Sequence, residues 1–378
     1  MERSYDVIVV GLGIMGSATA YHLARRGLRV LGIERFWPPH WLGSSHGRSR
    51  IIREAYYEHP AYVPLVRRAY ELWAEVESEA GRRLFLQTGG LTVGPAGGEL
   101  VQGSLLSART HGLTHEVLTA DEVRRRFPAL RPDPEMSAVW EPRAGVLFPE
   151  ACVTALLGLA RRHGAELKFG QEVTGWEADG SGVQVQTRMG TYRAERLVIA
   201  AGAWVTRLVP DLPVQVERQV MVWFQPRSNP HHFRPDQLPV FILEYAPGKH
   251  FYGLPDLGEG VKTARHHDGE TVDPDLVDRE VREADVDAVR ELLRRYVPAA
   301  DGPVLTAAVC LYTNAPDHHF IVDFHPAHPE VLILSPCSGH GFKFGPAIGE
   351  LAADLITTGR PRVEVGFFGL GRLGQAAG

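Results

Sequence analysis

Tyr5-Asp-Val-Ile-Val-Val-Gly-Leu-Gly-Ile-Met-Gly16 decides the fold. Tyr5 to Val10 is an apolar, β-branched run of the kind that forms a buried strand. Gly11, Gly13 and Gly16 follow at the G-x-G-x-x-G spacing. There the first glycine makes a tight turn, the second admits a pyrophosphate against backbone, and the third lets a helix pack on the strand. A helix is expected from Ser17 to Arg26, its N–H groups and positive dipole end aimed at the phosphates. Gly27 ends it, and Arg29 to Ile33 forms a second strand. Glu34 closes that strand at the offset of an acid that grips a ribose hydroxyl. Strand, glycine turn, helix, strand and terminal acid together point to a dinucleotide site.

Working outward, three more stretches carry the same style. A helix from Pro149 to His163 leads through Gly164 into a strand at Glu166 to Phe169. Leu197-Val-Ile-Ala-Ala201 is apolar on both faces, as in a parallel sheet covered by helices, and runs into Gly202-Ala-Trp204. Val331 to Leu334 is followed by a Gly-rich loop and a helix from Pro346 to Gly359. The intervening segments differ. Val214, Val216, Val220, Val222 and Phe224 alternate as in a half-exposed antiparallel strand, and Phe241 to Glu244, His250 to Leu254 and Gly260 to Ala264 continue that pattern. A polar helix is expected from Pro274 to Tyr296 with Asp273 as N-cap. The fold class is therefore α/β: a Rossmann-like dinucleotide-binding domain (1–85, 148–213 and 306–378), the FAD-binding domain of the resemblance given below. Into it is inserted an α+β substrate domain (86–147 and 214–305), built on a mixed, largely antiparallel sheet. The active site is expected where the two meet.

The chain has 378 residues, enough for a sizeable core, and a net charge of −5, which argues against nucleic acid or an anionic membrane as partner. Three cysteines, Cys152, Cys310 and Cys337, are too few for a disulfide framework and suit a reducing, cytoplasmic setting. No signal peptide or membrane-spanning run is legible. Only four lysines occur, Lys168, Lys249, Lys262 and Lys343, so each is less readily dismissed as generic surface charge.

Arg50 and Arg53 stand three apart around Ile51 and Ile52. On a helical turn they share a face, and two half-buried guanidinium forks suit a carboxylate or phosphate; a structural ion-pair network is the other reading. Ala308 to Tyr312 reads as a strand with Cys310 and Tyr312 on one face, where Cys310 taken alone is a small buried hydrophobe. The glycines of Ser338-Gly-His-Gly-Phe-Lys-Phe344 allow backbone to lie against a flat ring. His318, His319, Asp323, His325 and His328 fit no compact ligand spacing, and no metal is expected.

These residues, with Pro38-Pro39-His40, His46-Gly47, Arg50-Ile-Ile-Arg53, Gly145-Val-Leu-Phe148, Gly202-Ala-Trp204, Tyr252-Gly253, Phe320-Ile-Val-Asp323 and Ser338-Gly-His-Gly-Phe-Lys343, resemble the monomeric sarcosine oxidase and N-methyltryptophan oxidase family over nearly the whole length. The resemblance implies FAD attached covalently through Cys310. It implies oxidation of sarcosine or another N-methyl amino acid to an imine, hydrolysed to amine and aldehyde, with O2 reduced to H2O2. A cyclic secondary amino acid such as pipecolate is the alternative substrate. Its implied catalytic residues are Lys262, His266, Arg50 and Tyr252. Arg53 and Lys343 would clamp the substrate carboxylate beside Tyr252 and His266. The cofactor set would be Gly11, Gly13, Gly16, Glu34, His46, Ser49, Arg50, Val173, Gly202, Trp204, Cys310, Tyr312, Gly339, Gly341 and Lys343. A monomer is implied. The chain departs from the family at Arg48 and Ser49, where members often read Asp-Thr. An NAD-dependent dehydrogenase uses the same glycine fingerprint but has no need of a cysteine-bearing strand or of the Lys343 loop.

Overall fold

A computed structural model describes residues 4–364 and 366–374. The opening strand, Ser4–Val10, lies at the centre of a mostly parallel sheet between Gly190–Ile199 and Val30–Ile33, with Glu166–Lys168 beyond the latter. His328–Ser335 pairs parallel to the far side of Gly190–Ile199, which also begins an antiparallel ribbon through Val183–Thr187 and Val173–Ala178. Val7, Ile8 and Val9 are fully buried because helices cover the sheet. The helix Ile14–Arg25 packs against both Pro149–Arg162 and Gly345–Thr358. Its start comes three residues before the expected Ser17, and Gly27 with φ of 85° ends it as foreseen.

Two glycines of the turn have a steric reason to be glycine. A Cβ on Gly16 would sit 1.7 Å from the carbonyl oxygen of Gly11, and one on Gly11 would sit 2.5 Å from that of Ala200. The turn is thus pressed against the next strand, as the motif requires.

The second sheet is mixed and largely antiparallel. Its order runs Val304–Asn314, Gln215–Phe224, Val261–His266, Lys249–Leu254, Val240–Ala246, Gly90–Pro95, Met136–Glu141, Glu116–Thr119, and only the Val240–Ala246 pairing with Gly90–Pro95 is parallel. The Cys310 strand belongs here and not with the parallel sheet, because it pairs along most of its length with Gln215–Phe224. A small sheet of Arg50–Ile52, Gly145–Leu147 and Phe85–Gln87 lies between the two.

Three local expectations are corrected. Arg50 opens a strand, not a helical turn, paired with Leu147. The run Gln215–Phe224 is buried on both faces instead of half-exposed. Its apolar face, with Val222 and Phe224, packs beneath Val289 and Leu293 of a helix. Its other face, with Gln219 and Met221, looks into a cavity rather than into bulk water. The polar helix spans only Glu283–Tyr296, where Asp285 accepts the Arg282 N–H at 2.9 Å. Asp273 does not cap it but binds Arg207 at 2.6 Å, and Asp275 binds Arg35 at 2.6 Å. Ion pairs thus pull this acidic stretch onto the parallel-sheet side as an extended strap.

Candidate active site

Alternation along the strands of the second sheet builds one wall of the site. Cys310 and Tyr312 stand on one face, opposite Gln219 and Glu217. Lys262 and His266 project from the neighbouring strand Val261–His266, and Tyr252 pairs with Ala264 at its middle. The facing wall comes from the glycine turn, the segment after Val30–Ile33 and the loop 336–343.

Between them runs a cavity of about 520 Å³. One end is lined by Glu34, Val173, Gly202 and Trp204, the middle by Gly11, Gly13 and Ser45, and the other end by Ser49, Arg50, Arg53, Tyr252, His266, Cys310, Tyr312, Gly339, Gly341 and Lys343. Of the expected residues, Gly16, His46 and Lys262 do not line it. Gly16 is buried in the turn. His46 faces a separate hollow of about 270 Å³ beside Arg48, Glu150 and Trp223. Lys262, 1% exposed, donates to the carbonyls of Gly47 and Ser49 at 2.8 and 2.7 Å, behind the segment that carries Arg50.

The donor set fits FAD. Glu34 accepts the Leu12 and Phe36 N–H groups at 2.7 and 3.0 Å, which fixes it at the cavity end where a ribose would lie. Gly13 has only Ser45 Oγ near the place of its missing Cβ, at 3.2 Å, so backbone is open to a pyrophosphate at the start of the helix. At the far end Gly339, with φ of 77°, lies so close to Tyr312 that a Cβ would fall 2.6 Å from its ring. Glycine backbone packed on an aromatic ring there borders the cavity without a side chain of its own, which leaves room beside it for a planar ring.

The electrostatics at this end are cationic. Arg50 Nη2 lies 3.5 Å from Cys310 Sγ and 3.0 Å from the Ser44 carbonyl. Arg53 is almost wholly buried and donates from Nη2 to both oxygens of Glu58 at 2.7 Å. Burial opposes the charge on Arg53, but Glu58 outweighs it and raises the guanidinium pKa. Lys343 Nζ donates to the His340 carbonyl at 2.7 Å and the Tyr56 hydroxyl at 3.2 Å. Burial, then the nearby Arg53, pulls Lys343 down to about 7. Burial likewise holds His46 and His340 near 3, and drives His266 and Lys262 well below their ordinary ranges.

Glu58, Tyr56, Tyr57 and His340 were missed in the sequence. His340 stood in a quoted motif, but its partner Tyr56 is 284 positions away. Glu58 follows Arg53 at a spacing that marks no regular element; a buried arginine needing a counter-ion was its one signal.

A cavity shaped for a dinucleotide, ending in cations and a sulfur, agrees with what the chain is similar to. The model of the family described as DAO, FAD dependent oxidoreductase, matches residues 6–355. The chain belongs to this family. It is 48% identical to a monomeric sarcosine oxidase of Streptomyces avermitilis, covering 100% of both chains. It is 35% identical to an N-methyl-L-tryptophan oxidase of Salmonella typhi, covering 98% of this chain and 100% of the relative. Among solved structures it resembles L-proline dehydrogenase from P. horikoshii, with TM-score 0.87 and 25% identity over 100% of this chain and 99% of that one. NikD, an amino acid oxidase essential for nikkomycin biosynthesis, gives 0.84 and 26% over 97% of each. The chain is a flavin-dependent amine oxidase, and the NAD-dependent alternative falls away. Among the described residues no helix is long and apolar enough to cross a membrane.

Proposed function

We propose that this enzyme oxidises a secondary amino acid, sarcosine or another N-methyl amino acid, to an imine that water hydrolyses to amine and aldehyde. Bound FAD supplies the two-electron oxidation of the C–N bond, with O2 as the final acceptor and H2O2 as product. The observation that carries the reading is the convergence of Arg53 and Lys343 at the same cavity end as Cys310. Two cations in a buried pocket select a carboxylate-bearing substrate over a simple amine, and holding the carboxylate orients the reacting C–H. Tyr252 and His266 line the amine side; His266 Nδ1 lies 3.1 Å from the Tyr312 hydroxyl. Lys262, one layer behind Arg50, is held against the Gly47 and Ser49 carbonyls, where its ammonium form would favour the charge that develops as oxygen is reduced.

The cofactor is proposed to be covalently held through Cys310, whose side chain is 2% exposed and lines the cavity. The protein is proposed to work as a cytoplasmic monomer, in keeping with the names of its relatives and its three unpaired cysteines. A cyclic secondary amino acid is the second reading, favoured by the likeness to L-proline dehydrogenase. A peroxide assay over N-methyl and cyclic secondary amino acids separates the two. Peroxide from none of them, with simple amines active instead, overturns the carboxylate requirement.

A further inference from the structure

The acidic strap is tied to the dinucleotide side chiefly at Asp275. Arg35 Nη1 and Trp204 Nε1 both donate to Asp275 Oδ1, at 2.6 and 2.8 Å. Arg207 Nη2 lies 3.3 Å from the other oxygen. All four residues line the main cavity with Glu34, so the strap forms part of the wall at the end assigned to the ribose.

Its ends are pinned and its middle is not. The Val272 N–H donates to the Val216 carbonyl at 2.8 Å, and Arg218 holds the carbonyls of Asp278 and Glu280 at 2.8 and 2.7 Å. Between these points, residues 273–277 belong to no strand or helix. Val277 is half-buried against the small apolar cluster of Ala203, Val216 and Leu311. The Arg35–Asp275 pair is about one-third exposed, and such pairs contribute little each and weaken with salt. The other walls are strands, a helix start and packed loops. A segment with few buried apolar contacts opens locally while the rest of the fold stays intact.

We infer that residues 273–277 are a closure over the adenylate half of FAD, fastened at Asp275, which opens to admit or release the cofactor and docks once the nucleotide is seated. Arg35, Trp204 and Arg207 are shared between strap and cavity. A nucleotide resting on them holds them where they bind Asp275, so occupancy and closure favour each other. A flavin without the adenylate, such as FMN, leaves that end unfilled and draws no closure. Selection of FAD over FMN thereby lies at the opposite end of the cavity from Cys310. The closure acts on the cofactor and is independent of which amino acid is oxidised.

The test uses the full chain carrying Cys310→Ser, in which flavin is held without a covalent bond and can be removed and restored. Hydrogen exchange read by mass spectrometry should show the amides of 273–278 exchanging several-fold more slowly with FAD bound than without it. ADP at saturation should give most of that protection, and FMN should give none. Equal exchange with and without FAD overturns the closure. Protection by FAD but not by ADP, or equally by FMN, overturns the adenylate as its trigger. Release of FAD, followed by the return of flavin fluorescence, should quicken roughly five- to tenfold in Asp275→Asn, as for a lost charge-assisted hydrogen bond. Added salt should quicken release in the parent far more than in this variant. An unchanged release rate, or an equal salt dependence in the two, overturns the role of Asp275.

Discussion

Arg53 holds both carboxylate oxygens of Glu58 from a single nitrogen, at 2.7 Å each, inside the cavity end proposed to receive the substrate carboxylate. The substrate must therefore share or take over a guanidinium that already has an anion. Glu58→Gln should lower KM for an acid-bearing substrate, because the competing charge is gone. It should also lower stability by up to about 3 kcal/mol, since removing one partner strands a buried charge. Thermal melts and steady-state kinetics read the two effects; an unchanged melting temperature with a raised KM contradicts the pairing.

The same pair predicts an acid limit. Burial alone would raise the Glu58 pKa, yet Arg53 outweighs it and the pKa is lowered. A depressed carboxylate stabilises the fold above its ordinary range and loses that contribution as pH falls through the lowered value. His22 adds to it. Burial, opposed in part by Glu350, takes it down to about 3, and its Nε2 has no partner. Neutral when folded and protonated when unfolded, it costs stability as pH drops from about 6.5 towards 3, on the order of 1.4 kcal/mol per pH unit. Denaturation of His22→Gln should show a shallower pH dependence over that window; an equal slope contradicts a neutral buried His22.

Lys262→Met should slow reoxidation of the flavin by roughly tenfold or more, a loss of about 1.4 kcal/mol of transition-state stabilisation, while reduction by substrate stays nearly unchanged. Lys262 lies outside the main cavity, against the Gly47 and Ser49 carbonyls. Stopped-flow measurement of the two half-reactions decides it; equal slowing of both marks Lys262 as a support for the Arg50 segment alone.

The glycine turn separates folding from cofactor binding. Gly16→Ala brings a Cβ against a backbone oxygen and should prevent the turn from closing. At Gly13 a Cβ meets only Ser45 Oγ, so Gly13→Ala should fold with greatly reduced flavin content. Equal flavin content in Gly13→Ala and the parent chain would remove the pyrophosphate from this position.

Elements with local signals were legible in the sequence. The parallel strands read from apolar runs, the glycine turn from its spacing, and the shared face of Cys310 and Tyr312 from strand alternation. What misled were residues whose surroundings are set from afar. The Gln215–Phe224 strand carries polar residues because it faces a cavity, which alternation alone cannot tell from solvent. The stretch from Asp273 to Arg282 has helix-compatible composition, but ion pairs to Arg35 and Arg207 hold it extended. Glu58 and the Tyr56–His340 bond required contacts between segments that no spacing encodes.

The proposed flavin would be bonded to the Cys310 sulfur, 3.5 Å from Arg50 Nη2. Intact-mass analysis of the acid-denatured protein, with peptide mapping, tests it most directly. One FAD adduct per chain is expected on the Cys310 peptide, lost in Cys310→Ser and slowed in Arg50→Met. An unmodified polypeptide mass, with all the yellow colour released into the acid supernatant, would contradict it.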